Sequence, residues 1–170
     1  MADRKQHIWL CGFMGCGKST IGAELARLIG SELIDMDSYI EQREQMTVSE
    51  IFKIHGEAYF RKLETVCVTE LCNHVPAIIA TGGGVMISQQ NATEAKKSGI
   101  VLFLDIPFND CYQRIKDTDR PIVRRSSQAE LKQLYQQRRK FYQKHADLIF
   151  NEVLSPADTA NRISDILATF

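Results

Sequence analysis

The 170-residue chain carries no net charge, with 21 basic residues against 21 acidic. No overall field therefore draws it to nucleic acid or to a membrane surface, and any anion must be caught locally. It has no apolar run approaching the length of a membrane span. The N-terminus, Met1-Ala2-Asp3-Arg4-Lys5-Gln6-His7, leads into a short strand without an apolar signal core, so an untargeted, cytoplasmic protein is expected. The five cysteines, Cys11, Cys16, Cys67, Cys72 and Cys111, are odd in number and follow neither zinc nor disulfide spacing. That argues against a disulfide scaffold or a metal cluster and points to reduced thiols. Repeats, low-complexity tracts and linkers are lacking as well. What remains is an ordinary globular composition, 44% hydrophobic and 25% charged, at the length of one domain with a real core.

Chemistry is concentrated early, in Gly12-Phe13-Met14-Gly15-Cys16-Gly17-Lys18-Ser19-Thr20, which reads G-x-x-x-x-G-K-[ST]. An apolar run, Ile8-Trp9-Leu10-Cys11, precedes it and a helical pattern over 21–28 follows, the strand, loop and helix that this P-loop motif requires. Gly12, Gly15 and Gly17 let the backbone turn its N–H groups around a polyphosphate, and the helix adds its N-terminal partial charge. Lys18 is placed to reach the outer phosphates. The Ser19 hydroxyl suits magnesium, which keeps most of its oxygens from phosphate and water. A nucleoside triphosphate site is expected.

Further along, Leu33-Ile34 makes a second short strand ending in Asp35-Met36-Asp37. A polar helix spans 38–45, and Thr47-Val48-Ser49-Glu50 is a capping box opening a helix that Gly56 closes. Over 57–74, Phe60, Leu63, Val66, Cys67 and Leu71 recur at helical spacing, with Arg61 beside the stripe. Ala77-Ile78-Ile79-Ala80-Thr81 reads as a buried strand ended by Gly82-Gly83-Gly84. A short helix starting near Asn91 or Thr93 leads to a fourth strand over 100–104, and another helix covers 108–116. The charged segment 117–128 shows no buried-face pattern and reads as a mobile loop. A strong helix follows over 129–145, with Leu131, Leu134, Tyr135, Arg138, Phe141 and Tyr142 along one side. Leu148-Ile149-Phe150 is a fifth strand, and Ser155-Pro156 starts a last helix with Ile163, Ile166, Leu167 and Phe170 inward. Strands alternating with helices predict an α/β fold, a parallel sheet with helices on both faces whose ligands bind at the carboxyl ends of the strands. That edge collects the P-loop, Asp35, Asp37 and the three glycines.

Two carboxylates near a P-loop can be plain helix caps. They also suit a kinase: Asp35 offers magnesium an oxygen, and Asp37 offers an acceptor hydroxyl a hydrogen-bond partner, for which an ordinary carboxylate pKa suffices. Gly82, Gly83 and Gly84, as a bare backbone at the ligand edge, allow close approach of a small ligand. Arg61 and Arg138 are surface pairing residues on the bland reading; if both point inward, their planar guanidinium groups suit bidentate capture of a carboxylate. Arg120 is either a solvated charge or, in a closing lid, a partner for the transferring phosphoryl group.

Read together and in this order, GFMGCGKST, LIDMD, IFKIHGEAYFRKLE, TGGGV, DRPIV and YQQRRKFYQKHAD make nearly the whole chain resemble the shikimate kinase family. The resemblance implies transfer of the ATP γ-phosphoryl group to the 3-hydroxyl of shikimate, with Mg2+, in aromatic amino acid biosynthesis. It implies a three-layer α/β/α fold with a five-stranded parallel sheet in the order 2-3-1-4-5. One domain over 1–170 would hold shikimate-binding helices at about 38–65 and a lid at about 117–128. Carried over by residue, Lys18, Asp37 and Arg120 are catalytic, and Gly12, Gly15, Cys16, Gly17, Lys18, Ser19 and Thr20 bind the nucleotide with Arg120. Arg114 and Pro156 flank the adenine. Asp37, Arg61, Gly82, Gly83, Gly84 and Arg138 bind shikimate, and Ser19 and Asp35 serve magnesium. Partners are small molecules only, and a monomer is expected. Cys16 stands where the family usually has serine or alanine, which is tolerated if only its backbone N–H is used; a thiol there leaves oxidation open. Ile122 and Val123 replace leucines, and Asp117 and Asp119 are candidates to pair with Arg120 in an open lid. The rival readings are a kinase for another small molecule, such as gluconate or a nucleotide, and a nucleotide-binding module without catalysis.

Overall fold

Apolar runs without polar alternation must be covered on both faces, and here they make the middle of a parallel sheet. The computed structural model describes residues 6–170; the reading of residues 1–5 as free of a targeting signal lies outside them. Among the described residues, β1 (His7–Cys11), β2 (Leu33–Asp35), β3 (Ile78–Ala80), β4 (Gly99–Leu104) and β5 (Leu148–Phe150) form one sheet in the order 2-3-1-4-5, parallel throughout. Trp9, at the centre, is fully buried and its indole N–H donates to Ser98 Oγ at 3.1 Å. The ring therefore leaves no orphan donor, and burying a side chain of that size contributes about 2–3 kcal/mol.

Helices cover the sheet. α1 (Lys18–Ile29) lies against β1 and β3 and packs along the last helix, Pro156–Thr169. α2 (Met36–Glu44), α3 (Val48–His55) and α4 (Glu57–Leu71) follow β2; α5 (Gln89–Ser98) lies against both α4 and β4. α6 (Phe108–Ile115), α7 (Pro121–Arg124) and α8 (Gln128–His145) lead to β5, and α9 is the Pro156–Thr169 helix. The capping box at Thr47 and Glu50 forms as its sequence dictates, and Ser127 with Glu130 makes another at α8. α1 is the contrast. Its N-cap, Gly17, is left-handed and supplies no side-chain cap, and its first turn holds no acidic residue. Its leading N–H groups are left for an anion.

Several boundaries and faces differ from the sequence reading. α2 begins at Met36, not Ser38, because Asp35 caps it by accepting from Ser38 N at 3.1 Å. α5 begins at Gln89 because Ser88 accepts from Asn91 N. Segment 117–128 is not wholly irregular: Pro121 starts the single turn of α7, and buried Val123 pins it to the core. One turn gives periodicity nothing to count. Val66, Phe141 and Phe170, read as inward, are exposed, while Glu64, Val68 and His145 take buried positions on α4 and α8. Helical spacing tolerates a rotation of one residue, and buried polar groups are invisible to an apolar stripe.

Leu10 and Asp35 are both in register with Ala80. The ends of β1, β2 and β3 are therefore level, and the P-loop, the aspartate pair and the glycine turn leave the sheet together. Gly15 ties this edge to α6: at φ +79°, a Cβ on it would lie 2.6 Å from Cys111 O and 2.8 Å from Ile115 Cγ2. Gly15→Ala is expected to destabilise the protein by at least about 2 kcal/mol in urea unfolding, from left-handed strain plus overpacking. Unchanged stability would contradict this packing of the loop on α6.

Candidate active site

The phosphate loop is built by close approaches. A Cβ on Gly12, at φ +146°, would meet Cys16 Sγ at 2.7 Å and Leu104 O at 2.8 Å. Cys16 closes the loop through its own N–H, which donates to Phe13 O at 3.2 Å, and its thiol is buried against Gly12. The thiol thus packs as a small core group. Lys18 Nζ donates to Gly12 O at 2.8 Å and Phe13 O at 3.0 Å, with Cys16 Sγ at 3.6 Å. None of the ion pairs among the described residues involves Lys18, which leaves its charge for an anion. A cavity of about 290 Å³ opens here, lined by Gly15, Gly17, Lys18, Ser19, Thr20, Asp35, Arg114 and Arg120. Arg114 lies across the loop, donating to Gly15 O at 2.9 Å. It shares a neighbouring hollow of about 270 Å³ with Pro156, Thr20 and Cys16, so the two expected adenine-flanking residues line the same hollow.

Asp35 is a helix cap and also faces the phosphate loop. Its Oδ1 caps α2, and its Oδ2 accepts from Ser19 Oγ at 2.5 Å. A hydroxyl and a carboxylate thus converge beside the phosphate loop, a donor set of hard oxygens.

On the other side of this edge lies a second cavity, about 390 Å³, lined by Asp37, Arg61, Glu64, Gly82, Gly83, Gly84, Arg120 and Arg138, with Phe52, Phe60 and Ile122 as apolar wall. Arg138 is 8% exposed and Arg61 is half-buried. Arg61 donates to Glu64 Oε2 at 2.7 Å and Glu57 Oε1 at 3.2 Å, and sits 5.6 Å from the Phe60 ring centroid. The glycine turn makes room for these groups. A Cβ on Gly84 would lie 2.1 Å from Arg61 Nη1, one on Gly83 3.3 Å from Arg138 Nη1, and one on Gly82 2.8 Å from Glu64 Oε1 and 3.1 Å from Asp37 Oδ1. Tyr142 holds the turn by donating its hydroxyl to Gly83 O.

Burial raises both carboxyls. Asp37 is pushed above the usual aspartate range by desolvation and by Asp35, against the pull of Arg120 and Lys18. Glu64 is 1% exposed and raised to about 7, burial outweighing the Arg61 guanidinium. Its Oε1 has no hydrogen-bond partner in the protein, an unpaired acceptor facing the glycine turn. Sequence reading missed Glu64, although it lies three residues after Arg61 on a helix, the spacing of an ion pair. Tyr142, four residues after Arg138, was read only as a core residue.

Arg120, the N-cap of α7, lines both cavities. The expected pairing of Asp119 with Arg120 is not what forms: Asp119 pairs with Arg124 at 3.2 Å, one helical turn on. Asp37, Met14, Gly82, Gly83 and Thr118 likewise belong to both cavities. A polyphosphate on one side and a small anionic, hydroxylated molecule on the other would meet at Asp37 and Arg120, an arrangement suited to group transfer.

A family model described as shikimate kinase matches residues 14–168. The shikimate kinase of Persephonella marina is 35% identical over 159 residues, covering 93% of this chain and 96% of that protein. A solved structure of shikimate kinase from Acinetobacter baumannii in complex with shikimate matches with a TM-score of 0.91 at 33% identity, over 96% of this chain and 93% of that one. A deoxyadenosine kinase from M. mycoides, TM-score 0.61 at 18% identity over 96% and 98% of the two chains, shares the fold alone.

Glu64 gives the site a pH signature. Its folded value of about 7 lies above the ordinary 4.5, so the folded protein holds this proton more tightly than the unfolded chain. The associated stability is fully present below about pH 4.5 and is lost as pH rises through about 7. Urea unfolding at about pH 5 and about pH 8 is expected to show this loss in the wild type and little of it in Glu64→Gln. The same pH slope in both proteins would assign the titration to another group.

Proposed function

The chain belongs to the shikimate kinase family, and from that membership and the joined cavities we propose that Lys18, Asp37 and Arg120 carry the phosphoryl transfer to the 3-hydroxyl of shikimate. The activity is ATP-dependent phosphorylation of shikimate, in the shikimate pathway of aromatic amino acid biosynthesis. One observation carries the residue assignment: Asp37, Gly82, Gly83 and Arg120 line the phosphate-loop cavity and the acceptor cavity alike. A group transferred between the two must pass them.

In this reading Gly12, Gly15, Cys16, Gly17 and Thr20 shape or line the cradle, and Arg114 and Pro156 hold the base. Arg61 and Arg138 take the acceptor carboxylate as paired forks, while Gly82, Gly83 and Gly84 admit it to the backbone. Asp37 orients the acceptor hydroxyl and accepts its proton late, because the transition state is loose and positioning outweighs basicity. Burial and Asp35 raise its proton affinity, which favours that acceptance, and Arg120 and Lys18 pull the other way. Lys18 and Arg120 then oppose the charge gathering on the transferring group. Ser19 and Asp35 would hold Mg2+; their two oxygens, 2.5 Å apart beside the cradle, suit an ion that keeps phosphate and water oxygens for the rest. When bound, it supplies neutralisation of the phosphates.

Segment 117–128 serves as the lid and the helices over 38–65 as the acceptor-binding part of one kinase domain. In this reading the enzyme works as a monomer on small molecules alone. Among the described residues no helix is long and apolar enough to cross a membrane, in keeping with a cytoplasmic enzyme.

ADP release coupled to shikimate is the test, and release without an acceptor, or with gluconate or a nucleotide instead, would favour the rival readings. Arg138→Lys is expected to raise the shikimate KM roughly tenfold with the ATP KM little changed, since a point charge replaces a fork. The reverse pattern would assign Arg138 to the nucleotide. Lys18→Met should abolish turnover in a folded protein; wild-type turnover would overturn the P-loop assignment.

A further inference from the structure

Glu57 carries two arginines, one on each carboxylate oxygen. Oε1 accepts from Arg61 Nη2 at 3.2 Å, and Oε2 accepts from Arg125 Nη2 at 2.6 Å. Arg125 is the C-cap of α7, 68 residues away in sequence, on the segment that carries Arg120 and Ile122 over the acceptor cavity. Glu57 itself opens α4 behind Gly56, which supplies no side-chain cap. The helix terminus therefore welcomes its negative charge and fixes where it sits. One carboxylate thus joins the lid to the arginine that faces the acceptor.

The charge balance gives the join a purpose. Arg61 faces two carboxylates, Glu57 and Glu64, so those three groups, when ionised, sum to one negative charge, the wrong sign for binding an anion. Arg125 brings the sum around Arg61 to zero. With Arg125 engaged on Oε2, Glu57 competes less with an incoming carboxylate for Arg61.

We propose that Glu57 and Arg125 are positioning residues for the acceptor: the Arg125–Glu57 pair fixes α7 above the acceptor cavity and releases the charge of Arg61 to the acceptor's carboxylate. Lid placement and acceptor affinity are then set by the same bond. This rests on the assignment of Arg61 to that carboxylate.

The test is steady-state kinetics on Arg125→Ala, Glu57→Gln, the double variant and Arg61→Ala, with both substrates varied. The pair is partly exposed, 56% and 39% for the two side chains, so the effect is modest: Arg125→Ala should raise the shikimate KM about three- to fivefold and leave the ATP KM and kcat nearly unchanged. In the Glu57→Gln background the same substitution should change little, because the partner charge is gone. The difference between wild type and Arg125→Ala should also shrink near about 1 M salt, where exposed charges are screened within about 3 Å. An unchanged shikimate KM in Arg125→Ala, or an equal rise with and without Glu57, overturns the bridge. If Arg61→Ala raises the shikimate KM in either case, only the bridge has failed; if it does not, the assignment of Arg61 has failed with it.

Discussion

Charged side chains reach the acceptor cavity only because the turn after β3 has no side chains of its own. Cβ atoms on Gly82, Gly83 and Gly84 would fall within 3.3 Å of Glu64, Arg138 and Arg61 respectively. Glycine at these positions answers to that crowding rather than to backbone freedom, since none of the three adopts a positive φ. Bare backbone at the end of a buried strand lets two arginines and two carboxylates converge on one small volume. Tyr142 stabilises the arrangement from α8 by binding Gly83 O, so the helix that supplies Arg138 also fixes the turn on which Arg138 rests.

Such a cluster is costly to build. Desolvation lifts Asp37 and Glu64 above their usual ranges, and a buried pair is stabilising only when its geometry and hydrogen bonds are complete. Here they are not complete, since Glu64 Oε1 is left without a partner. The core offsets that cost elsewhere, through fully covered strands and Trp9. The result is a stable sheet whose carboxyl edge carries an unsatisfied carboxylate oxygen, which is where a polar substrate gains most from binding.

Much of this was legible in the sequence, for identifiable reasons. Buried strands announced themselves as apolar runs, and the P-loop glycines as a motif whose every position has a mechanical role. The triple glycine was legible because topology sends strand ends to one edge, and Arg61 and Arg138 because each lies along a helical stripe within a segment that resembles the family. Glu64 was not, because a carboxylate on a helix looks like solvated surface unless its burial is known. Val66, Phe141 and Phe170 failed in the opposite sense: apolar character placed them inside, but helix rotation left the first two exposed and Phe170 lies past the end of α9. The turn at Pro121 was hidden for want of length. Arg125 gave no signal at all, as its partner Glu57 lies far away in sequence and only the fold brings them together.

We propose that the two cavities form one two-substrate site joined at Asp37 and Arg120. A crystal structure with shikimate and an unreactive ATP analogue bound together tests it most directly. The acceptor carboxylate is expected on Arg61 and Arg138, the 3-hydroxyl within hydrogen-bond reach of Asp37, about 2.6–3.2 Å, and Arg120 turned towards the terminal phosphate. Shikimate bound away from Asp37, or with its carboxylate on other residues, would contradict it.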